Sequence, residues 1–249
     1  MSFRESVLRE PARNTCNWFF DLEVYRKWEE RSDPSLFGRF LWLKGKPGAG
    51  KLILVREAVE RARNRRDAGT ELVIGTFFFN ARGIRLECAP IGMWRSLCWH
   101  IFRQDDHFKG YIMDHFRAKS RFARDNWLPG EEELRGLLLH AFRTRPALAP
   151  RVVLLNECNQ SCIRETVRNL TALLETAEES GQQLDLCMSS RHYPTIMSPR
   201  SFDIIVKDRN HGNILCYIQD RIPVEIIPNH KSVSLLHSLL LQRSSGIFL

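Results

Sequence analysis

The segment FLWLKGKPGAGK, beginning at Phe40, sets an apolar run directly before a glycine-rich turn that ends in a lysine, and a helical pattern from Lys51 through Arg63 follows at once. This is strand, loop, helix, and the loop Gly45, Lys46, Pro47, Gly48, Ala49, Gly50, Lys51 has the spacing GxxxxGK. Glycines at those positions let backbone N–H groups turn inward around an anion. Lys51 adds a point charge, and the helix N-terminus adds its partial positive charge. A glycine-rich turn with no ligand is the plain alternative, but it does not explain the lysine at that spacing. A dinucleotide reading, GxGxxG, fits the same residues only with mismatches.

The rest of the chain supplies a scaffold for such a loop. Apolar, β-rich runs recur at Glu71 to Phe79, Arg151 to Leu155, Leu184 to Ser189 and Phe202 to Val206, and read as buried parallel strands. Helical patterns lie between and after them: Ile91 to Phe102, Glu131 to Phe142, Ile163 to Ala177, Asn213 to Arg221 and Val233 to Gln242. Strand and helix alternate, which predicts an α/β domain. The stretch Gln104 to Pro129, mostly charged and aromatic, is predicted to be an irregular excursion. No internal repeat is visible.

Composition narrows the class. With 249 residues, 43% hydrophobic and 27% charged, the chain suits one large globular core. No secretory signal and no transmembrane run are visible, so a cytoplasmic location is expected. Seven scattered cysteines suit reduced, packed thiols. Cys158 and Cys162 lack a second pair to complete a zinc site. The net charge of +8 favours polyanions only weakly. Its densest cluster, Arg61, Arg63, Arg65 and Arg66, is expected to be a solvated helix terminus. Trp94, Trp99 and Phe102 read as a buried helix face rather than a base-stacking surface. His192 reads as packing or hydrogen bonding. Trp18, Phe19 and Phe20 read as an apolar anchor.

Two positions bear on metal handling. The residue after Lys51 is Leu52, where a hydroxyl would coordinate magnesium. The run Val152 to Leu155 followed by Asn156 and Glu157 has the form of a magnesium-holding strand end with a neutral amide in place of the carboxylate. Glu157 is the candidate for orienting an attacking water. The alternative is a polar strand end that caps the next helix.

Several phrases together resemble the fungal NACHT domains of the STAND class, including the nephrocystin-like N-terminal domains. They are TCNWFF from Thr15, FLWLKGKPGAGK from Phe40, FFFNARG from Phe77, APIGMWRSLCWHIF from Ala89, VVLLNEC from Val152, LCMSSRHYP from Leu186 and SSGIFL from Ser244. The resemblance implies an ASCE-type P-loop NTPase, a three-layer sandwich with a mostly parallel five-stranded sheet and a small C-terminal helical part. It divides the chain into a helical lead-in (1–36), the NTPase core (37–207) and a helical segment (208–249) that ends in mid-pattern, as a truncated product would. It makes Gly45 through Leu52 the nucleotide loop, Arg191 a sensor of the terminal phosphate, and SSGIFL the closing helix.

This chain also departs from the family. The loop usually reads GKPGSGKS, against Ala49 and Leu52 here. The family tends to read DALDEC where Leu155 passes directly to Asn156, Glu157 and Cys158. Whether Asn156 replaces the magnesium Asp or that Asp is deleted stays open, and both alignments lose the carboxylate. The implied role is a nucleotide-dependent switch in an NLR-like signalling protein of the kind used in fungal innate immunity. Here it would have weak ATP/ADP or GTP/GDP binding, poorly held Mg²⁺ and little or no hydrolysis. Expected partners are nucleotide, neighbouring domains of the same protein and further copies on activation, without membrane or nucleic acid. A nucleotide-independent scaffold and a nucleic-acid-dependent ATPase are the competing readings.

Overall fold

The computed structural model describes residues 11–12, 15–30, 39–69, 71–121, 128–144, 151–156, 162–192, 196, 198, 201–222 and 230–248. Two helices lead in, α1 (Asn17–Asp21) and α2 (Glu23–Glu30), followed by β1 (Phe40–Lys44) and α3 (Lys51–Asp67). Then come β2 (Val73–Phe78), α4 (Arg85–Cys88), α5 (Pro90–Gln104), α6 (Asp106–Ser120), α7 (Glu131–Thr144) and β3 (Arg151–Asn156). The remainder is α8 (Ile163–Glu179), β4 (Leu184–Ser190), β5 (Phe202–Ile205), α9 (His211–Arg221) and α10 (His230–Ser244).

The strands form one sheet in the order β2-β3-β4-β1-β5, and every pairing is parallel. Side chains alternate across it as strand geometry requires. On one face Phe40, Trp42, Leu186 and Met188 pack with α5, α7 and α8. On the other, Leu41, Leu43 and Cys187 pack with α1, α2 and α3. Both faces are therefore covered, which is why the strands read as continuous apolar runs.

The exposed edge of β2 is closed by side chains of α5. Gln104 accepts from the Ile74 amide at 3.1 Å and donates to the Ile74 carbonyl at 2.8 Å. His100 accepts from the Thr76 amide, and Ser96 donates to the Thr76 carbonyl, both at 3.1 Å. Residues 96, 100 and 104 stand one helical turn apart, a spacing that follows the strand and blocks further pairing.

Four expectations are corrected. The stretch from Gln104 is not an irregular excursion throughout, because α6 occupies Asp106–Ser120. Asp105 caps it by accepting from the Phe108 amide at 3.0 Å, and Phe108 and Ile112, one turn apart, are buried. The arginine cluster is not simply solvated, since Arg61 grips Glu29 of α2 through two bonds of 2.8 and 2.9 Å, and Arg65 lies 3.6 Å from the same carboxylate. Trp99 does not join the buried face: it is 55% exposed while Trp94 is fully buried. Five residues rotate a helix by about 140° beyond one full turn, which sets the two rings on different faces. Finally, SSGIFL is not a closing helix, because α10 ends at Ser244.

The lead-in is anchored by Phe19, Tyr25 and Trp28, whose rings pack in sequence, 4.7 and 5.5 Å apart between centroids. Phe19 is fully buried against the α3 face. Phe19→Ala is expected to destabilise the fold by about 3–5 kcal/mol, read as a lowered urea midpoint in equilibrium unfolding.

Candidate functional site: the loop between β1 and α3

The turn at the C-terminal end of β1 is fixed by its neighbours before any ligand arrives. Gly45 donates to the Ser190 carbonyl at 3.2 Å, which ties the loop to the end of β4. Ala49 donates back to the Lys46 carbonyl at 3.2 Å, closing a tight turn. Gly48 and Gly50 take φ of 78° and 88°, left-handed values that glycine adopts at no steric cost. From Gly50 the chain enters α3, where the Ile53 and Leu54 amides both donate to the Gly50 carbonyl at 3.1 Å; the head of a helix carries the partial positive charge that favours an anion.

Lys51 is buried, at 4% exposure. Its ammonium donates to the carbonyls of Gly45 at 2.9 Å and Lys46 at 2.8 Å. The charge is thus solvated by its own loop, and an incoming phosphate would replace those carbonyls as its partner.

Beside the loop lies a cavity of about 730 Å³, a size suited to a small-molecule ligand. Three parts of the chain line it: the lead-in (Thr15, Cys16, Trp18), the loop and start of α3 (Gly48 to Leu54), and the region of α9 (Asn210, Asn213, Tyr217). Phe248 also lines it, beside Gly48 and Gly50. Two asparagines hold these walls together. Asn213 accepts from the Cys16 amide at 3.1 Å and supports the left-handed φ of 74° at Cys16. Asn210 donates to the Ala49 carbonyl at 3.2 Å and to the Gly246 carbonyl at 2.9 Å. Burial pushes the Cys16 thiol up to about 11, which keeps it protonated and unreactive at neutral pH.

The candidate residues from sequence are distributed as follows. Gly45 through Leu52 form the loop and the head of α3. Leu52 is half-buried and packs against the apolar cluster under α3, so it offers no oxygen to a cation. Asn156 ends β3 opposite Phe78, with β4 standing between β3 and β1. Glu157 and Cys158 lie outside the described residues, as do Tyr193 and Pro194. Arg191 is exposed and directly follows the Ser190 that the loop grips. Among the described residues no cluster of His, Cys, Asp and Glu is arranged to hold a metal ion.

The family model described as nephrocystin 3, N-terminal, matches residues 14–191, from the lead-in through the loop and β3 to the end of β4. The chain belongs to that family. No curated protein matches it closely enough to count as a relative. Among solved structures it resembles AMPPCP-bound DnaA from Aquifex aeolicus, with 13% identity, 90% of this chain and 58% of that one covered, and a TM-score of 0.40. It also resembles Drosophila ORC bound to DNA, with 14% identity, 92% and 54% covered, and a TM-score of 0.41. The chain therefore spans less than two thirds of the length of these structures. The family match includes neither α9 nor the Gly246–Phe248 turn, which complete the cavity.

Sequence reasoning passed over Asn210, Asn213, Tyr217 and Phe248. The only signal for the last was Gly246, a glycine just past a helix, which marks a C-terminal cap.

Electrostatics at the mouth are dominated by cations. The imidazole of His192 is held below its ordinary pKa, first by burial and then by Lys51, Lys46 and Lys207, with Asp208 opposing them. The unfolded chain therefore takes up this proton at a higher pH than the folded one. The contribution is fully present above the unfolded value of about 6.5 and is lost as pH falls through the lower folded value. The urea midpoint of the wild type is expected to drop more steeply as pH falls below about 6.5 than that of His192→Gln, measured as a pH series of unfolding curves.

Proposed function

We propose that this domain binds a nucleotide, with its phosphates on the amides of the loop from Lys46 to Leu52 and its nucleoside part in the cavity between the lead-in and α9. The observation that carries this reading is one continuous cavity of about 730 Å³ bounded at one end by a GxxxxGK loop with a buried lysine and walled elsewhere by Thr15, Trp18 and Tyr217. An apolar chamber with a cationic, amide-rich end matches a ligand that is flat and apolar at one end and anionic at the other.

The binding is largely independent of metal. Neither Leu52 nor Asn156 supplies a charged or hydroxyl oxygen, so the loop amides and Lys51 carry the phosphate charge alone. That arrangement disfavours the triphosphate, whose extra charge a cation would otherwise offset, and it favours the diphosphate. Hydrolysis is negligible for the same reason, since a placed metal and a positioned water are both required. Arg191, next to the loop at the end of β4, is the residue through which a terminal phosphate would be sensed. In this reading the nucleotide is a structural ligand that joins the lead-in and the core (37–207) to the α9 wall of the cavity. Its exchange would change contacts with neighbouring domains or further copies, as in a switch.

A specific observation supports a second reading, a scaffold that needs no nucleotide: the Lys51 ammonium is satisfied by its own loop. Thermal unfolding separates the two, because a ligand selective for the folded state raises its melting temperature. Millimolar ADP with a chelator is expected to raise the melting temperature by several degrees, and Lys51→Ala to abolish the shift. Identical melting with and without ADP would establish the scaffold. The paired changes Leu52→Ser and Asn156→Asp are expected to make binding magnesium-dependent and to strengthen ATP by about tenfold or more, the scale of one recovered charge-assisted ligand, read by calorimetry.

A further inference from the structure

After α10 the chain reverses sharply. Ser245 and Gly246 take φ of 49° and 82°, and Ile247 donates back to the Ser244 carbonyl at 2.9 Å. This turn delivers Ile247 and Phe248 onto the phosphate loop. Phe248 donates its amide to the Gly48 carbonyl at 2.9 Å. A Cβ added at Gly48 would meet the Ile247 Cγ2 at 2.6 Å, and one at Gly50 would meet the Phe248 ring at 3.1 Å. The glycine faces of the loop are thus covered by these two side chains. Tyr217 of α9 braces the Phe248 ring edge to face, with centroids 5.6 Å apart.

Asn210 joins the two partners. Its amide nitrogen donates both to Ala49 in the loop and to Gly246 in the turn. Two consecutive loop carbonyls, those of Gly48 and Ala49, are therefore engaged, one by the turn itself and one by the residue that holds the turn. Meanwhile the Asn210 Oδ1 is buried without a hydrogen-bond partner among the described residues.

From this we infer that Gly246–Phe248 is a strap that holds the phosphate loop in the shape that keeps the Lys51 ammonium on the Gly45 and Lys46 carbonyls, with Asn210 as the latch. The inference rests on the nucleotide reading of the same cavity and adds its regulation. For a phosphate to take over the Lys51 ammonium, that group must leave the Gly45 and Lys46 carbonyls, and the loop around Gly48 must reorient. The strap opposes that movement because it grips the loop by backbone as well as by side chain. Entry of nucleotide releases Phe248 from Gly48, and the freed strap is how occupancy is passed to α9 and α10. Asn210 is a positioning residue in this scheme.

The test is amide hydrogen exchange of Phe248, read by NMR on the whole chain with ADP and a chelator, together with the ADP association rate by stopped flow. The expected result is a slowly exchanging Phe248 amide in the free protein that exchanges faster at saturating ADP. Asn210→Ala, and separately Ile247→Ala with Phe248→Ala, should speed ADP association by about tenfold, the scale of one lost hydrogen bond and its contacts. A Phe248 amide equally or better protected with ADP bound, or variants that associate at the wild-type rate, would overturn the strap while leaving nucleotide binding intact. A wild type that takes no ADP beside a variant that does would show the strap shut, in support. Absence of binding in both removes the nucleotide reading and the strap with it.

Discussion

The buried ammonium of Lys51 is the group around which the candidate site is arranged. A charge at 4% exposure must be solvated by something, and here the carbonyls of Gly45 and Lys46 do it. Those carbonyls are in place because Gly45 is tied to the end of β4 and Ala49 folds back on Lys46. The sheet order, which sets β4 beside β1, is therefore what holds the loop in shape.

The same charge links two descriptions of the domain. With its own loop as partner, Lys51 makes a stable empty site. With phosphate as partner, it makes an occupied one. In the proposed reading, neighbours such as Asn210 and Phe248 bias the balance between the two partners, and the leucine and asparagine at positions 52 and 156 leave magnesium little hold on that balance. What remains depends on backbone amides, one lysine and the packing of the walls.

Much of the core was legible in the sequence because its signals are local. GKPGAGK between an apolar run and a helical one can be read without coordinates, and so can a strand buried on both faces, which prints as an unbroken apolar run such as FLWL. Family phrases extended the reading to the lead-in. Long-range partners left no such trace. The grip of Arg61 on Glu29 spans 32 residues, and the Asn210 contact with Ala49 spans 161, so neither has any period or spacing to betray it. Asp105 as a helix cap was readable in principle, but its charged surroundings masked the turn of apolar residues behind it. Trp99 was misplaced because an aromatic near helical spacing was taken for one on the same face. SSGIFL was taken as a closing helix from the family phrase it resembles, although Gly246 in a left-handed turn ends one.

The central claim is that the loop amides receive an anion without a metal, and it is tested most directly by following the backbone amide resonances of Gly48, Gly50 and Lys51 as ADP is added in the presence of a chelator. Saturable shifts confined to the loop, the head of α3 and the cavity walls, unchanged when magnesium replaces the chelator, are what this account predicts. Loop resonances that stay fixed at millimolar ADP, or that move only when magnesium is present, would contradict it.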